Sequence, residues 1–242
     1  MEIGMWAVIA FTLIYEPIIG YFGFKKFKKT VGESEKRRIS YYVNVMTGLW
    51  VPTIFILLLI AATELTLADA GLAYPTFNTD TLGPWVTYSA IALLLIYFAS
   101  LLYYLIGYRV SEKIRSKWNE ASNKELGQSS FSVLLPVTGR ERKVWNYVSI
   151  TAGVTEEIIY RGFLIFAFSY LFPDMSIWAA ILLASVLFGL AHSYQGLKGV
   201  IKTMVVGIWF SILAIGLGSI VPLIILHFLI DYVAKLGDPV SQ

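Results

Sequence analysis

Seven apolar runs alternate with polar segments along the chain. A helix needs about 20 mainly apolar residues to cross a bilayer, and the runs come close to this length. They lie at about 5–22, 41–62, 85–108, 145–171, 176–192, 200–217 and 220–234. A short or re-entrant segment within 109–143 would raise the number to eight. The pattern therefore predicts an all-α, polytopic transmembrane bundle of seven or eight spans.

Two of these runs have features of their own. Glu16 and Pro17 interrupt the first run, and we interpret them as a proline kink beside an acid, near a lateral opening between helices. No basic segment precedes this run and no small-residue cleavage site follows it, so we expect a retained span rather than a signal peptide. The third run is expected to continue as a polar helix that ends at Gly127.

The composition agrees with a membrane protein. Hydrophobic residues make up 57% of the 242 residues and charged residues 14%, whereas soluble domains average about 25% charged residues. We expect one integral membrane domain, 1–242, with no separate soluble domain. The sequence contains no cysteine, which excludes disulfides, thiolate nucleophiles and cysteine metal sites.

Basic residues are concentrated in alternate polar segments. Segment 25–38 has seven basic and two acidic residues, and segment 109–143 has eight and four. Segment 63–84 has acids but no Lys or Arg. Because basic loops stay in the cytoplasm, we predict a multi-pass protein of the cell membrane with the N-terminus outside and the C-terminus in the cytoplasm. The basic segments are expected to contact anionic lipid rather than nucleic acid.

Three ionisable residues lie inside the fourth apolar run: Glu156, Glu157 and Arg161. A charge at bilayer depth costs roughly 2.5–3.5 kcal/mol on insertion scales, so such residues usually face a polar cavity and have a function. Glu157 and Arg161 are four apart, which predicts an ion pair on one helix face. Glu156 lies about 100° further round the helix. One acid is thus expected to be neutralised, and the other to be available for chemistry.

Both histidines of the chain also lie inside predicted spans. His192 ends the fifth span and His227 lies in the seventh. Phe188 precedes His192 by one helical turn and is expected to cover its imidazole. Asp231 follows His227 by one turn and is expected to reach it.

Carboxylates, imidazoles and an arginine in one apolar cavity suit general acid–base catalysis on water. A glutamate can accept a proton from water, and a histidine beside it can protonate an amine leaving group. A second histidine can donate a hydrogen bond to a developing oxyanion. We expect this cavity to open to the cytoplasm.

Three motifs, all on predicted spans and in this order, are similar to those of the CPBP family: Glu-Glu-x-x-x-Arg at 156–161, Phe-x-x-x-His at 188–192 and His-x-x-x-Asp at 227–231. This family comprises the type II CAAX prenyl endopeptidases and the bacteriocin-processing or self-immunity proteins, also called Abi proteins. The resemblance covers about 125–235, the expected catalytic core. It implies an intramembrane glutamic endopeptidase that uses no cofactor, with Glu157 and Arg161 supporting the site.

The resemblance also implies roles for the other matching residues. Glu156 would activate the hydrolytic water together with His192, while His227 and Asp231 would line the oxyanion site. The last motif position is Asn or Asp in the family. An Asp donates to an oxyanion only when it is protonated, so Asp231 has a second interpretation, in which it orients His227.

Other functions remain open from the sequence. His192, His227 and a carboxylate would form an acceptable zinc site of a metalloprotease, although His-Glu-x-x-His is absent. The same residues would also suit a proton relay in a transporter or immunity protein, or a buried ion network that only holds helices together.

The expected partners are membrane lipid and a peptide substrate. Prenylated C-terminal tails, leader peptides and small hydrophobic peptides all fit.

Overall fold

The computed structural model describes residues 1–32, 34–126 and 130–236. Gly127, the predicted end of the polar helix, lies outside these residues. Within the described ranges the fold is all-α, without strands. Its eight helices are α1 (Glu2–Thr30), α2 (Glu35–Ala62), α3 (Pro84–Val110), α4 (Glu112–Leu126), α5 (139–171), α6 (Ile177–Ala191), α7 (Gly196–Gly216) and α8 (Val221–Ala234).

Four of these helices are long and apolar enough to cross a membrane: α1, α2, α3, and α7 with the turn before it (Ser193–Gly216). Helices α6 and α8 are apolar but shorter. Helix α5 is long, but its apolar part contains the three charges noted above. The chain is therefore a helical membrane protein, and the number of seven spans stays a prediction.

Helix ends differ from the predicted span ends. Most of the basic segment 25–38 was expected to be loop, yet α1 continues to Thr30 and α2 begins at Glu35. Hydropathy marks the part of a helix that lies in lipid, whereas a helix continues into water as long as its residues favour it. The basic residues of this segment therefore lie at helix ends.

Helix α5 lies at the centre of the bundle and packs against α2 on one side and α8 on the other. It begins with a capping box, in which Thr138 accepts from the Glu141 amide and the Glu141 side chain binds the Thr138 amide. Gly153 allows the close approach of α8, since a Cβ there would lie 3.0 Å from the Ile224 carbonyl oxygen. From Glu157 to Leu164 the helix is π-helical, and all eight residues of this turn are buried.

The predicted kink in α1 is a π-helical turn, Tyr15–Gly20. Pro17 supplies no amide hydrogen and its ring clashes with the preceding turn, which explains why regular α-helical bonding stops there. The turn packs against α6 and against the short 3₁₀ turn Ser193–Gln195 that precedes α7.

A short segment before α5, which includes Val133 and Leu135, lies at the basic ends of α1 and α2. The Arg38 guanidinium pairs with Glu141 at 3.2 Å, both side chains being buried. It also donates to the carbonyls of Val133 and Leu135. These bonds hold the segment against α2 and α5.

Candidate active site

A cavity of about 880 Å³ lies between α1, α2 and the three helices that carry the sequence motifs. The predicted site residues among its walls come from α5, from the end of α6 and from α8: Glu156, Arg161, Phe188, His192, His227 and Asp231. The structure therefore brings together side chains that are up to 75 positions apart in the sequence. Glu157, the remaining predicted residue, lies directly behind this wall and contacts His227.

The His227 ring is held by Glu157. Its Nδ1 lies 2.7 Å from Glu157 Oε1, and because a carboxylate only accepts, Nδ1 carries the hydrogen. On the other side of the ring, Nε2 lies 3.7 Å from Glu156 Oε2 and 3.9 Å from Asp231 Oδ2. Both distances are too long for a hydrogen bond. Glu157, rather than Asp231, is thus the residue that fixes the ring.

The predicted pair of Glu157 and Arg161 forms, with 3.2 Å between Oε1 and Nη1 and with side chains 0% and 1% exposed. The guanidinium also stacks on Phe188, 3.8 Å from the ring centroid, and lies 5.3 Å from that of Phe210. A desolvated cation–π contact contributes about 2 kcal/mol. Arg161 is thus held by one carboxylate and two aromatic rings.

Glu156 differs from its neighbour in its surroundings. It is 9% exposed, against 0% for Glu157. Among the described residues, Oε2 has no hydrogen-bond partner in either glutamate, but Glu157 accepts at Oε1 from Arg161 and His227. Helix spacing predicted this difference, because only Glu157 shares a face with Arg161. A buried carboxylate that faces a cavity is suited to bind and deprotonate water.

His192 is the residue that ends α6. Its Nδ1 lies 2.9 Å from the Phe188 carbonyl oxygen, which can only accept, so Nδ1 is the donor. In the neutral ring Nε2 therefore carries the lone pair. The Phe188 side chain packs edge-on against the imidazole with 4.8 Å between centroids, as the one-turn spacing predicted.

Two residues next to the site, Glu16 and Tyr160, were not predicted as site residues, and Glu16 was interpreted only as the acid beside a proline kink. Glu16, on the π-helical turn of α1, lines the cavity with Glu156, and it accepts a 2.7 Å hydrogen bond from the Tyr160 hydroxyl. The sequence did indicate a functional role for Glu16, because this residue is an acid inside an apolar run. The cost argument that selected Glu156 applies to it equally.

A metal site was the main alternative. Within the described residues, no group of three or more His, Cys, Asp or Glu side chains has a geometry that could hold a metal ion. The expectation that no cofactor is used is tested by the chelation experiment below.

The fold and the cavity define a class: helical membrane proteins with a buried cluster of acids and histidines. Within this class, the family model described as type II CAAX prenyl endopeptidase Rce1-like matches residues 142–233. All three sequence motifs fall inside that range. Residues 142–233 thus match the model of the Rce1-like CAAX protease family, and the resemblance seen in the sequence is confirmed. No curated protein and no solved structure matches the chain.

Proposed function

We propose that the protein is an intramembrane endopeptidase of the glutamic type, which hydrolyses a peptide bond with a water activated by Glu156 and His192. The observation that supports this most is the shared cavity, which contains two histidines and Glu156 from three helices, with Oε2 of Glu156 lacking a hydrogen-bond partner among the described residues. The match of residues 142–233 to the model of a protease family agrees with it.

The reaction proceeds through a tetrahedral intermediate without a covalent enzyme adduct. Glu156 takes a proton from water as its oxygen bonds to the scissile carbonyl carbon, and the carbonyl oxygen becomes an oxyanion. His192 helps to hold the water through Nε2. When the carbon–nitrogen bond breaks, the proton passes to the amine nitrogen, which leaves a carboxyl product and an amine product.

His227 and Asp231 are proposed to line the oxyanion position. The hydrogen bond from Nδ1 to Glu157 fixes the ring, so that Nε2 is aimed toward Glu156 and Asp231. In the doubly protonated ring Nε2 is a donor. A fixed donor aimed at the developing charge typically contributes about 10²–10³-fold to the rate.

The cavity is proposed to open toward the cytoplasm. Its lining includes Lys26 and Arg37, which belong to the basic segment 25–38 that the positive-inside rule assigns to that side. A substrate with an apolar anchor in the bilayer, such as a prenylated C-terminal tail, would enter between helices. Its scissile bond would then reach Glu156 near the cytoplasmic face.

Incubation of the purified protein with a fluorogenic farnesylated peptide, beside the same peptide without the prenyl group, tests the proposal. We expect cleavage of the farnesylated peptide. The variants Glu156→Gln and His192→Ala should each lower the rate by about 10²-fold or more, the typical effect of losing a general base. Glu64→Gln, which changes an exposed acid outside the cavity, is the matched control. Wild-type rates in both site variants would disprove the proposal.

The same assay separates a glutamic from a zinc mechanism. We expect the rate to survive prolonged chelation, since the proposal assigns water activation to Glu156 and His192 alone. Loss of activity on chelation, with recovery on addition of zinc, would instead support the alternative in which the histidines are metal ligands.

A further inference from the structure

Helix α1 lies outside the matched range 142–233, yet two polar contacts join its π-helical turn to the catalytic core. The Tyr160 hydroxyl, on α5, donates to Glu16 at 2.7 Å. The Ser193 hydroxyl, next to His192, donates to the Pro17 carbonyl at 3.1 Å. One turn of α1 is therefore bonded both to the helix of Glu156 and to the segment of His192.

Tyr160 contacts both Glu16 and a residue of the site, Phe188. Its side chain is 1% exposed, and its ring packs against Phe188 with 5.0 Å between centroids. The same Phe188 ring lies under the Arg161 guanidinium and against the His192 imidazole. Tyr160, Arg161 and His192 thus share one aromatic neighbour, so the orientation of Tyr160 affects the packing of the other two.

Packing alone does not account for an acid at position 16. An apolar residue in an apolar span would avoid the cost of placing a carboxyl group at that depth. The group accepts a hydrogen bond from the buried Tyr160 hydroxyl, for which the described part of the chain shows no other acceptor, and leaving such a donor unpaired costs about 1–3 kcal/mol. Glu16 is therefore matched to Tyr160.

We infer that Glu16 is a positioning residue of the active site: as hydrogen-bond acceptor for Tyr160 it fixes Phe188, and through Phe188 it orients Arg161 and His192. The inference rests on the proposed peptidase function for its effect on rate. It requires an acceptor at position 16 and does not require a negative charge there.

Four variants test this role in the peptidase assay. Glu16→Gln keeps an acceptor and should retain kcat within about two-fold, whereas Glu16→Ala and Tyr160→Phe should each lower kcat by about 10-fold, the effect of about 1.4 kcal/mol. KM should stay within about two-fold, because substrate contacts are unchanged. The double variant Glu16→Ala/Tyr160→Phe should be no slower than the slower single variant, since both remove one bond.

Two controls are matched to these changes. Glu2→Ala removes an exposed acid from the same helix, and Tyr170→Phe removes a hydroxyl from a tyrosine of α5 that is 42% exposed. Both should leave kcat unchanged. Equal losses in Glu16→Gln and Glu16→Ala would show that charge is required and would overturn the inference, as would additive losses in the double variant.

A second measurement does not depend on activity. Amide hydrogen exchange reports local opening, and we expect faster exchange at 188–195 in Glu16→Ala and Tyr160→Phe, with wild-type exchange in Glu16→Gln. If the wild-type protein cleaves no peptide, the proposed function fails, but this pattern would still support the positioning role. Unchanged exchange in all variants would overturn it.

Discussion

At the scale of single residues, two glutamates that line the cavity and one directly behind its wall differ in their partners. Glu157 accepts from Arg161 and His227, Glu16 accepts from Tyr160, and Oε2 of Glu156 has no hydrogen-bond partner in the described part of the chain. Residue type alone does not separate them. Their neighbours are the basis on which we propose a supporting role for Glu157, a positioning role for Glu16 and a catalytic role for Glu156.

The Glu157–Arg161 pair gives the first prediction. Glu157→Leu and Arg161→Leu should each lower the free energy of unfolding by about 3–5 kcal/mol, because each removes one partner of a buried ion pair. The double variant should recover most of this stability, since apolar replacement of a buried pair is often neutral. It should nevertheless remain inactive, because His227 has lost the acceptor of its Nδ1 hydrogen. Thermal unfolding in detergent and peptide cleavage measure the two effects, and an active double variant would contradict the role of Glu157.

Sequence spacing predicted the bonds within one helix but not those between helices. The pairing of Glu157 with Arg161 and the packing of Phe188 on His192 follow from four-residue spacing, and both are confirmed. The bond between His227 and Glu157 joins residues 70 positions apart. Such a contact depends on the rotation and depth of two packed helices, which periodicity does not fix.

At the scale of elements, the π-helical turn of α5 is the feature that the sequence did not predict. Hydropathy gave a continuous span, and the structure has a widened turn at Glu157–Leu164 that contains part of the site. Such turns often occur at functional sites. Within this turn, the backbone at Gly162 lies close to the backbone of Ala70, the last residue of the 3₁₀ turn Leu67–Ala70.

This close approach gives the second prediction. A Cβ at Gly162 would lie 2.0 Å from the Ala70 carbonyl oxygen, so that backbone would have to move. We expect Gly162→Ala to lower the free energy of unfolding by about 1–3 kcal/mol, the usual cost of overpacking, and to reduce cleavage because the turn that follows Glu156 shifts. Gly139→Ala is the control on the same helix, with nothing within 4 Å of the added methyl group. Equal thermal stability of the two variants would contradict this packing.

At the scale of the whole molecule, the helices with the clearest length and composition of membrane spans differ from the helices that contain the three sequence motifs. Helices α1, α2 and α3 have the length and composition of spans, whereas the motif-bearing α5, α6 and α8 are charged or short. Hydropathy therefore predicted the membrane class and most of the helices. Hydropathy also predicted spans at α6 and α8, but these two helices are shorter than the others, so their place in the bilayer stays a prediction.

Orientation in the membrane is the last prediction, and it belongs to the whole chain because it follows from the summed distribution of basic residues. The native sequence contains no cysteine, so a single introduced thiol is the only site for a maleimide. Tyr74→Cys changes a side chain that is 93% exposed in the segment between α2 and α3. It should react with a membrane-impermeant maleimide on intact cells. Ser116→Cys, exposed on α4, should react only after permeabilisation. The reverse pattern would place the basic helix ends, and with them the mouth of the cavity, outside the cell, and would contradict a cytoplasmic substrate.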